Sequence, residues 1–293
     1  MENFTKILSL IILCLFVSFL ITEYQERPTD TETYYNIASS TPTYGSSLTN
    51  FLLKATGFLK YNQFIFLWVL FFHLAILSIF VVGFGRLDLA FLSSIAAGFM
   101  ILSFAFGQML CLIFFILTII LFQRKSIWWI AFIVPILLSH RLGFIFILIL
   151  FIAIGLAKIF KNRDFSLFFG TCMFSLMGVS IGFSAAIYVF DKAYYDVFTH
   201  CLVVIPLSFL FFSKNRSIFW KSLIVLLASG AVLLPFIFPI EITSTSSYIG
   251  WRAFGMFDLI ILIALAETKT RMDEFLFGFL LLAMGIKTVL GVV

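Results

Sequence analysis

The sequence predicts an all-α fold, a polytopic bundle of about eleven transmembrane helices (10–12). The first observation is composition, because 62% of the 293 residues are hydrophobic, 11% are charged and the mean hydropathy is +1.16. This is more apolar surface than one water-soluble core can bury. The second is that long apolar runs follow one another with only brief polar breaks. These runs lack the period-two alternation of barrel strands, which excludes a transmembrane β-barrel.

We expect residues 1–293 to form a single transmembrane domain. The first run lacks a small-x-small cleavage site, so we interpret it as an uncleaved span rather than a signal peptide. An outer loop is predicted over 23–48, and the amphipathic stretch 50–60 is too short to cross, which predicts a short interfacial or re-entrant helix. The predicted spans are 4–22, 63–84, 88–106, 108–123, 126–138, 142–160, 165–188, 197–213, 218–239, 250–267 and 275–291.

Lysine and arginine residues orient the bundle. With a cytoplasmic N-terminus, the cytoplasmic ends and loops collect twelve of the nineteen, and the opposite side keeps seven. This bias follows the positive-inside rule and predicts a multi-pass protein of the cytoplasmic membrane. The four cysteines show no CxxC spacing and no neighbouring cluster of His or acidic residues, so we expect no metal and no cofactor.

Basic residues at membrane depth on the outer side are the first candidates for function. His140 and Arg141 are adjacent in an outer turn, and Arg252 lies where an outer loop enters a span. An ionisable residue costs about 2.5–3.5 kcal/mol at the centre of a membrane helix, so its presence suggests a partner or a purpose. The arginine fork matches phosphate oxygens two at a time. The alternatives are that both arginines snorkel to the interface and that the histidine is packed in the bundle.

The outer loop 23–48 supplies acids and aromatic rings. Asp30 or Glu32 would serve as general base toward a sugar hydroxyl, or both would only solvate the loop. Tyr34 and Tyr35 would stack on sugar rings, or would belong to the aromatic belt of the interface. Within predicted spans, His73 is a candidate donor between helices, and Asp258 needs a polar partner.

The order of these features resembles the EpsG family of bacterial polysaccharide polymerases, relatives of the O-antigen polymerase Wzy. The segments that carry the resemblance are TDTETYYNIAS with YNQFIFLWVL, GQMLCLIFFILTIILFQRKSIWWIAFIVPILLSHRLGFIFIL, and SSYIGWRAFGMFDLIILIAL. Asp30, Tyr34, Tyr35, His140 and Arg252 match family positions. The family usually has an arginine before the glutamine of the second segment, whereas this chain has Gly107 before Gln108, which weakens a phosphate-binding role there.

The resemblance implies a metal-independent glycosyl transfer at the outer face of the bacterial inner membrane. A growing glycan would pass from its undecaprenyl-diphosphate carrier to the next lipid-linked repeat unit, so that a surface polysaccharide or exopolysaccharide is polymerised. Arg141 and Arg252 would bind the diphosphate, and Asp30 or His140 would activate the acceptor hydroxyl. The expected partners are the lipid-linked glycan, the bilayer, and a chain-length regulator and flippase of the same pathway, with no nucleic acid.

Two other classes stay open. A membrane glycosyltransferase that uses a polyprenyl-phosphate sugar also begins with one span and an acidic outer loop, but many such enzymes carry a large soluble C-terminal domain that this sequence lacks. A transporter or flippase without covalent chemistry predicts paired broken helices in two matching halves, and residues 1–145 and 146–293 show no convincing internal repeat.

Overall fold

The structure, a computed structural model, describes residues 2–24, 29–40, 47–83, 85, 106–160, 166–190 and 217–237, and four single positions after residue 269. Among these residues there are nine α-helices and no strand, which confirms the all-helical class. The helices are α1 Glu2–Tyr24, α2 Thr29–Ser39, α3 Ser47–Thr56, α4 Tyr61–Ser78, α5 Phe106–Gln123, α6 Ile133–Ser139, α7 Gly143–Ile159, α8 Ser166–Phe190 and α9 Ile218–Ile237.

The chain divides into two compact units. Unit 1 comprises Met1–Phe144 and unit 2 comprises Ile145–Val293, so the boundary falls in the first turn of α7. In unit 2, α8 and α9 pack against each other. Fully buried residues recur at every fourth position of α9, at Leu223, Leu227 and Ala231.

In the part of the chain that the structure describes, two helices are long and apolar enough to cross a membrane. One runs over Tyr61–Gly83, where α4 continues into the π-helical turn Ile79–Gly83, and its mean hydropathy is 2.7; the other is α5, at 2.3. They confirm helices at the predicted positions 63–84 and 108–123. Their length and composition support a membrane protein.

Helix α1 packs antiparallel to α4 along a narrow stripe. Leu10 and Cys14 contact Leu77, and Ser18 reaches His73 one turn earlier in α4. The remaining surface of α1 is apolar and exposed, with Phe16 at 59% and Phe19 at 53% exposure. A helix that presents large side chains on every side suits a lipid environment better than water.

Helices α4 and α5 run parallel. The Phe106 ring, at the start of α5, stacks on Trp68 at a centroid distance of 5.4 Å. At the other end of the pair, the Arg124 guanidinium donates to the carbonyls of Val82 and Gly83 at 2.9 and 2.6 Å. These carbonyls belong to the last turn of the first helix, where helix ends leave acceptors without partners. The predicted span 88–106 lies outside the described residues except for Phe106.

The predicted outer loop 23–48 contains a helix, which is a correction to the sequence analysis. Helix α2 places Tyr34, Ile37 and Ala38 on one buried side, at the i, i+3, i+4 spacing of a helix face. This side packs against α3 and α4. The helix forms because it buries this short apolar face, although most of its residues are polar.

Helix α3 confirms the short helix predicted at 50–60, although it begins at Ser47 and ends at Thr56. The following turn packs closely on α2, because a Cβ added at Gly57 would lie 2.1 Å from the carbonyl oxygen of Ala38. Real Cβ atoms never come this close to backbone, so only glycine fits here.

The predicted span 126–138 is helical but is not one continuous α-helix. The chain forms a 3₁₀ helix over Ile127–Ile130 and then α6, and both pack on α5. Pro135 explains the break, because it has no N–H to donate to Ala131 and its ring would clash with that carbonyl in a continuous helix. It is tolerated in the first turn of α6, where amides need no helical partner.

The predicted spans 142–160, 165–188 and 218–239 coincide with α7, α8 and α9. The predicted spans 197–213 and 250–267 lie outside the described residues, as does 275–291 apart from two single positions.

Gly57→Ala should lower the thermal unfolding midpoint of the purified protein, because the new methyl group has to push α2 away from α3. Overpacking of this kind costs about 1–3 kcal/mol. Gly155→Ala is the matched control, since a Cβ at this helical position meets nothing within 4 Å. That variant should unfold at the wild-type temperature or above it. Equal midpoints for the two variants would contradict the close packing of α2 on α3.

Candidate functional site

Several segments distant in sequence meet at one end of unit 1, which we call the α2 end. The Tyr34 ring of α2 stacks on Phe106 at the start of α5, with centroids 4.9 Å apart. The Thr49 hydroxyl of α3 donates to the Ser139 carbonyl at the end of α6, at 2.8 Å. Because α3 contacts both α2 and α6, it links the acidic helix to the turn that carries His140 and Arg141.

The turn between α6 and α7 is tight. His140 has an extended backbone and its carbonyl accepts from the Gly143 amide at 2.9 Å. A Cβ at Gly143 would lie 2.3 Å from the carbonyl oxygen of Ile136, so the first turn of α7 packs directly on the backbone of α6. His140 and Leu142 are buried, and Arg141 between them is exposed. The fold thus turns the imidazole inward and leaves the guanidinium accessible.

The hydrogen bonding of His140 fixes its tautomer. The Leu142 amide donates to Nδ1 at 3.1 Å. An accepting Nδ1 carries no proton, so the neutral ring holds its proton on Nε2. Nε2 is therefore a hydrogen-bond donor, and protonating the ring would break the bond that holds the turn. Nε2 is buried as well, so the ring is packed within the turn that carries Arg141.

The two acids predicted as bases both belong to α2. The Glu32 side chain is exposed, and the Asp30 side chain lies outside the described part of the structure.

The two predicted tyrosines are packed among other aromatic rings. Tyr34 is buried against Phe106, and Tyr35 makes edge contacts with Tyr61 and Phe64 at 5.3 and 5.6 Å. Such contacts stabilise the junction of α2 with α4 and α5 by roughly 0.5–1.5 kcal/mol each beyond burial. Tyr34 therefore positions α2, and only the half-buried Tyr35 keeps ring surface for another contact.

Other polar residues singled out in the sequence lie elsewhere. His73 is buried in the middle of α4, with Nδ1 2.9 Å from the Ser18 hydroxyl, which agrees with the packed role between helices. Arg252 and Asp258 lie outside the described residues. Within the described part of the chain, no group of three or more His, Cys, Asp or Glu side chains is arranged to hold a metal ion.

Thr49 and Ser139 are the residues of the α2 end that sequence reasoning missed. Both are fully buried, and the Ser139 hydroxyl donates to the Pro135 carbonyl at 2.6 Å, next to the backbone acceptor used by Thr49. The sequence does hold one indication that Thr49 is buried. It lies four residues before Leu53, so the two residues share the buried side of α3.

The chain matches no protein-family model, no curated protein and no solved structure. Its resemblance to the EpsG family therefore stays a prediction from short motifs. The function has to be argued from the residues of the α2 end.

Two substitutions of His140 should show which of its ring nitrogens stabilises the turn. His140→Asn places an amide oxygen near the position of Nδ1 and should keep the unfolding midpoint close to wild type. His140→Gln reaches the position of Nε2 and leaves the buried Leu142 amide without its acceptor, which costs about 1–3 kcal/mol. Thermal unfolding of the two purified variants measures this difference. If His140→Asn unfolds at a lower temperature than His140→Gln, Nδ1 does not hold the turn.

Proposed function

We propose that this protein is a multi-pass glycosyltransferase of the bacterial inner membrane that polymerises undecaprenyl-diphosphate-linked repeat units at the outer face. The product is a surface polysaccharide or exopolysaccharide, and the α2 end of unit 1 faces outward. The apolar helices α4 and α5 support the membrane location, and the resemblance to the EpsG family supports the substrate class.

The observation that carries the proposal is the hydrogen bond from the Thr49 hydroxyl to the Ser139 carbonyl. It ties the turn of His140 and Arg141 to α3, which packs on the helix that contains Asp30. The turn that carries a cation and the helix that carries the acids thus belong to one end of unit 1. A cation to bind the diphosphate and an acid to accept the hydroxyl proton are the groups that this transfer uses.

Each group has a role in the transfer. The acceptor hydroxyl attacks the anomeric carbon of the donor glycan, and the bond from that carbon to the diphosphate oxygen breaks. Asp30 takes the proton of the hydroxyl, and undecaprenyl diphosphate leaves with the bonding electron pair. Arg141 and Arg252 bind its oxygens through their guanidinium forks. His140, buried beside Arg141, positions the turn that carries this arginine.

The decisive experiment supplies the purified protein in lipid vesicles with one substrate at a time. Lipid-linked repeat units should give products that increase by whole repeat units, resolved on a gel. Turnover of a polyprenyl-monophosphate sugar instead would establish the other glycosyltransferase class. Movement of the substrate across the vesicle with no change in glycan length would establish transport.

Asp30→Asn should reduce polymer formation by about 10²–10⁴-fold, the range for loss of a general base. Glu32→Gln, two residues away on an exposed side of the same helix, should keep most of the activity. The measurement is the initial rate of repeat-unit transfer, with protein amount matched by quantifying the inserted chain. If the Glu32 variant is inactive and the Asp30 variant active, Glu32 is the base and Asp30 is not.

Arg252→Ala should abolish long-chain polymer while the protein still inserts. Arg141→Lys should slow transfer by roughly tenfold or more, because the lysine ammonium does not form the bidentate bond to phosphate oxygens. Lys158→Gln removes an exposed cation from the last turn of α7 and serves as the control. A normal chain-length distribution in the Arg252 variant removes that residue from the mechanism.

A further inference from the structure

The end of unit 1 opposite the α2 end carries a shallow cavity of about 470 Å³ beside Lys125, largely open to the surface. The residues that line it are Phe122, Gln123, Lys125, Ser126, Ile127 and Trp129. We propose that this cavity binds the phosphate of an anionic phospholipid headgroup, a site independent of the glycosyl transfer proposed above.

The backbone at Lys125 is unusual. Its φ of 54° lies in the left-handed region, where a residue with a Cβ is disfavoured and glycine is the common choice. Helix α5 ends there in a Schellman turn, in which the Ser126 amide bonds to the Leu121 carbonyl and the Lys125 amide to the Phe122 carbonyl, both at 3.0 Å. The chain thus holds a lysine, at a position that favours glycine, on the wall of the cavity.

The charges around this turn suit an anion. The sequence has no acidic residue between Asp88 and Asp164, so no carboxylate of this stretch neutralises Lys125. Arg124 uses its guanidinium on the carbonyls of the first helix, whereas Lys125 is exposed on the cavity. The Schellman bonds satisfy the Leu121 and Phe122 carbonyls at the end of α5, and a cation is favoured beside a helix C-terminus.

The neighbouring side chains suit a lipid rather than a free phosphate. Ile127 is 76% exposed and Trp128 is 69% exposed, next to the lysine. Tryptophan beside a cation is typical of the membrane interface, and basic sites on the cytoplasmic side bind anionic headgroups. The Ser126 hydroxyl accepts from the Trp128 amide at 3.4 Å, which leaves its own proton to donate to a phosphate oxygen.

The test uses the purified full-length protein in a neutral detergent, titrated with short-chain phosphatidylglycerol and followed by tryptophan fluorescence. Binding should saturate and should be at least fivefold tighter than the binding of phosphatidylcholine, because one lysine attracts an anionic headgroup and not a neutral one. Glycerol 3-phosphate, which has the phosphate without acyl chains, should bind weakly. Equal binding of both phospholipids, or equal binding of glycerol 3-phosphate and phosphatidylglycerol, overturns the proposal.

Lys125→Gly is the sharpest variant because it removes the cation and relieves the left-handed backbone, so the turn should fold at least as well as in the wild type. Its affinity for phosphatidylglycerol should fall to the level of phosphatidylcholine. Lys125→Arg should retain the preference, as should the control Lys158→Gln. Unchanged phosphatidylglycerol affinity in Lys125→Gly rejects the site, whatever the outcome of the polymerase assay.

Discussion

Unit 1 depends on a few directional hydrogen bonds between helices whose other surfaces are apolar. Apolar helices pack without a strong preference for one register, so packing alone leaves their relative position weakly defined. A polar side chain directed at a group on another helix sets the register, because a shift of one residue breaks the bond while the group stays buried. These bonds join Ser18 to His73, Thr49 to Ser139, and Arg124 to Val82 and Gly83. The first bond lies in the middle of the unit, and the other two lie at its ends. The bond between Thr49 and Ser139 holds the turn of the candidate site in position.

Sequence reasoning succeeded where length and apolarity decide the structure and failed where a local detail does. Helices α4 and α5 follow directly from uninterrupted apolar runs. The run 126–138 has the same composition, but Pro135 divides it into a 3₁₀ helix and α6. Helix α2 was missed for the opposite reason, since its few apolar residues suffice only when α3 and α4 are present to cover them. Tertiary contacts, which a single sequence does not display, decide both cases.

The candidate site shows the same limit. Residue chemistry and the family resemblance pointed to His140, Arg141 and the acids of the first loop. The hydrogen bonding of the histidine was not accessible without backbone geometry, because it depends on the Leu142 amide. The helix that carries Asp30 and Glu32 was not predicted either. Buried hydroxyl residues such as Thr49 carry almost no sequence signal, since a threonine in an apolar helix more often bonds to its own backbone.

The distribution of charge explains why the folding of α2 matters for the chemistry proposed. The cations Arg124, Lys125, Arg141 and Lys158 all lie in a stretch that contains no acidic residue, so none of them pairs with a carboxylate of its own segment. Cations in such a stretch are suited to ligands that bring negative charge, such as lipid phosphates. For the proposed transfer, a carboxylate base has to come from another segment, and α2 carries the acids proposed for this role. A base on a separate helix need not form an ion pair with the phosphate-binding arginine, which would lower its basicity. Under the proposed function, the buried face of α2, through Tyr34 and Ala38, therefore serves catalysis as well as stability.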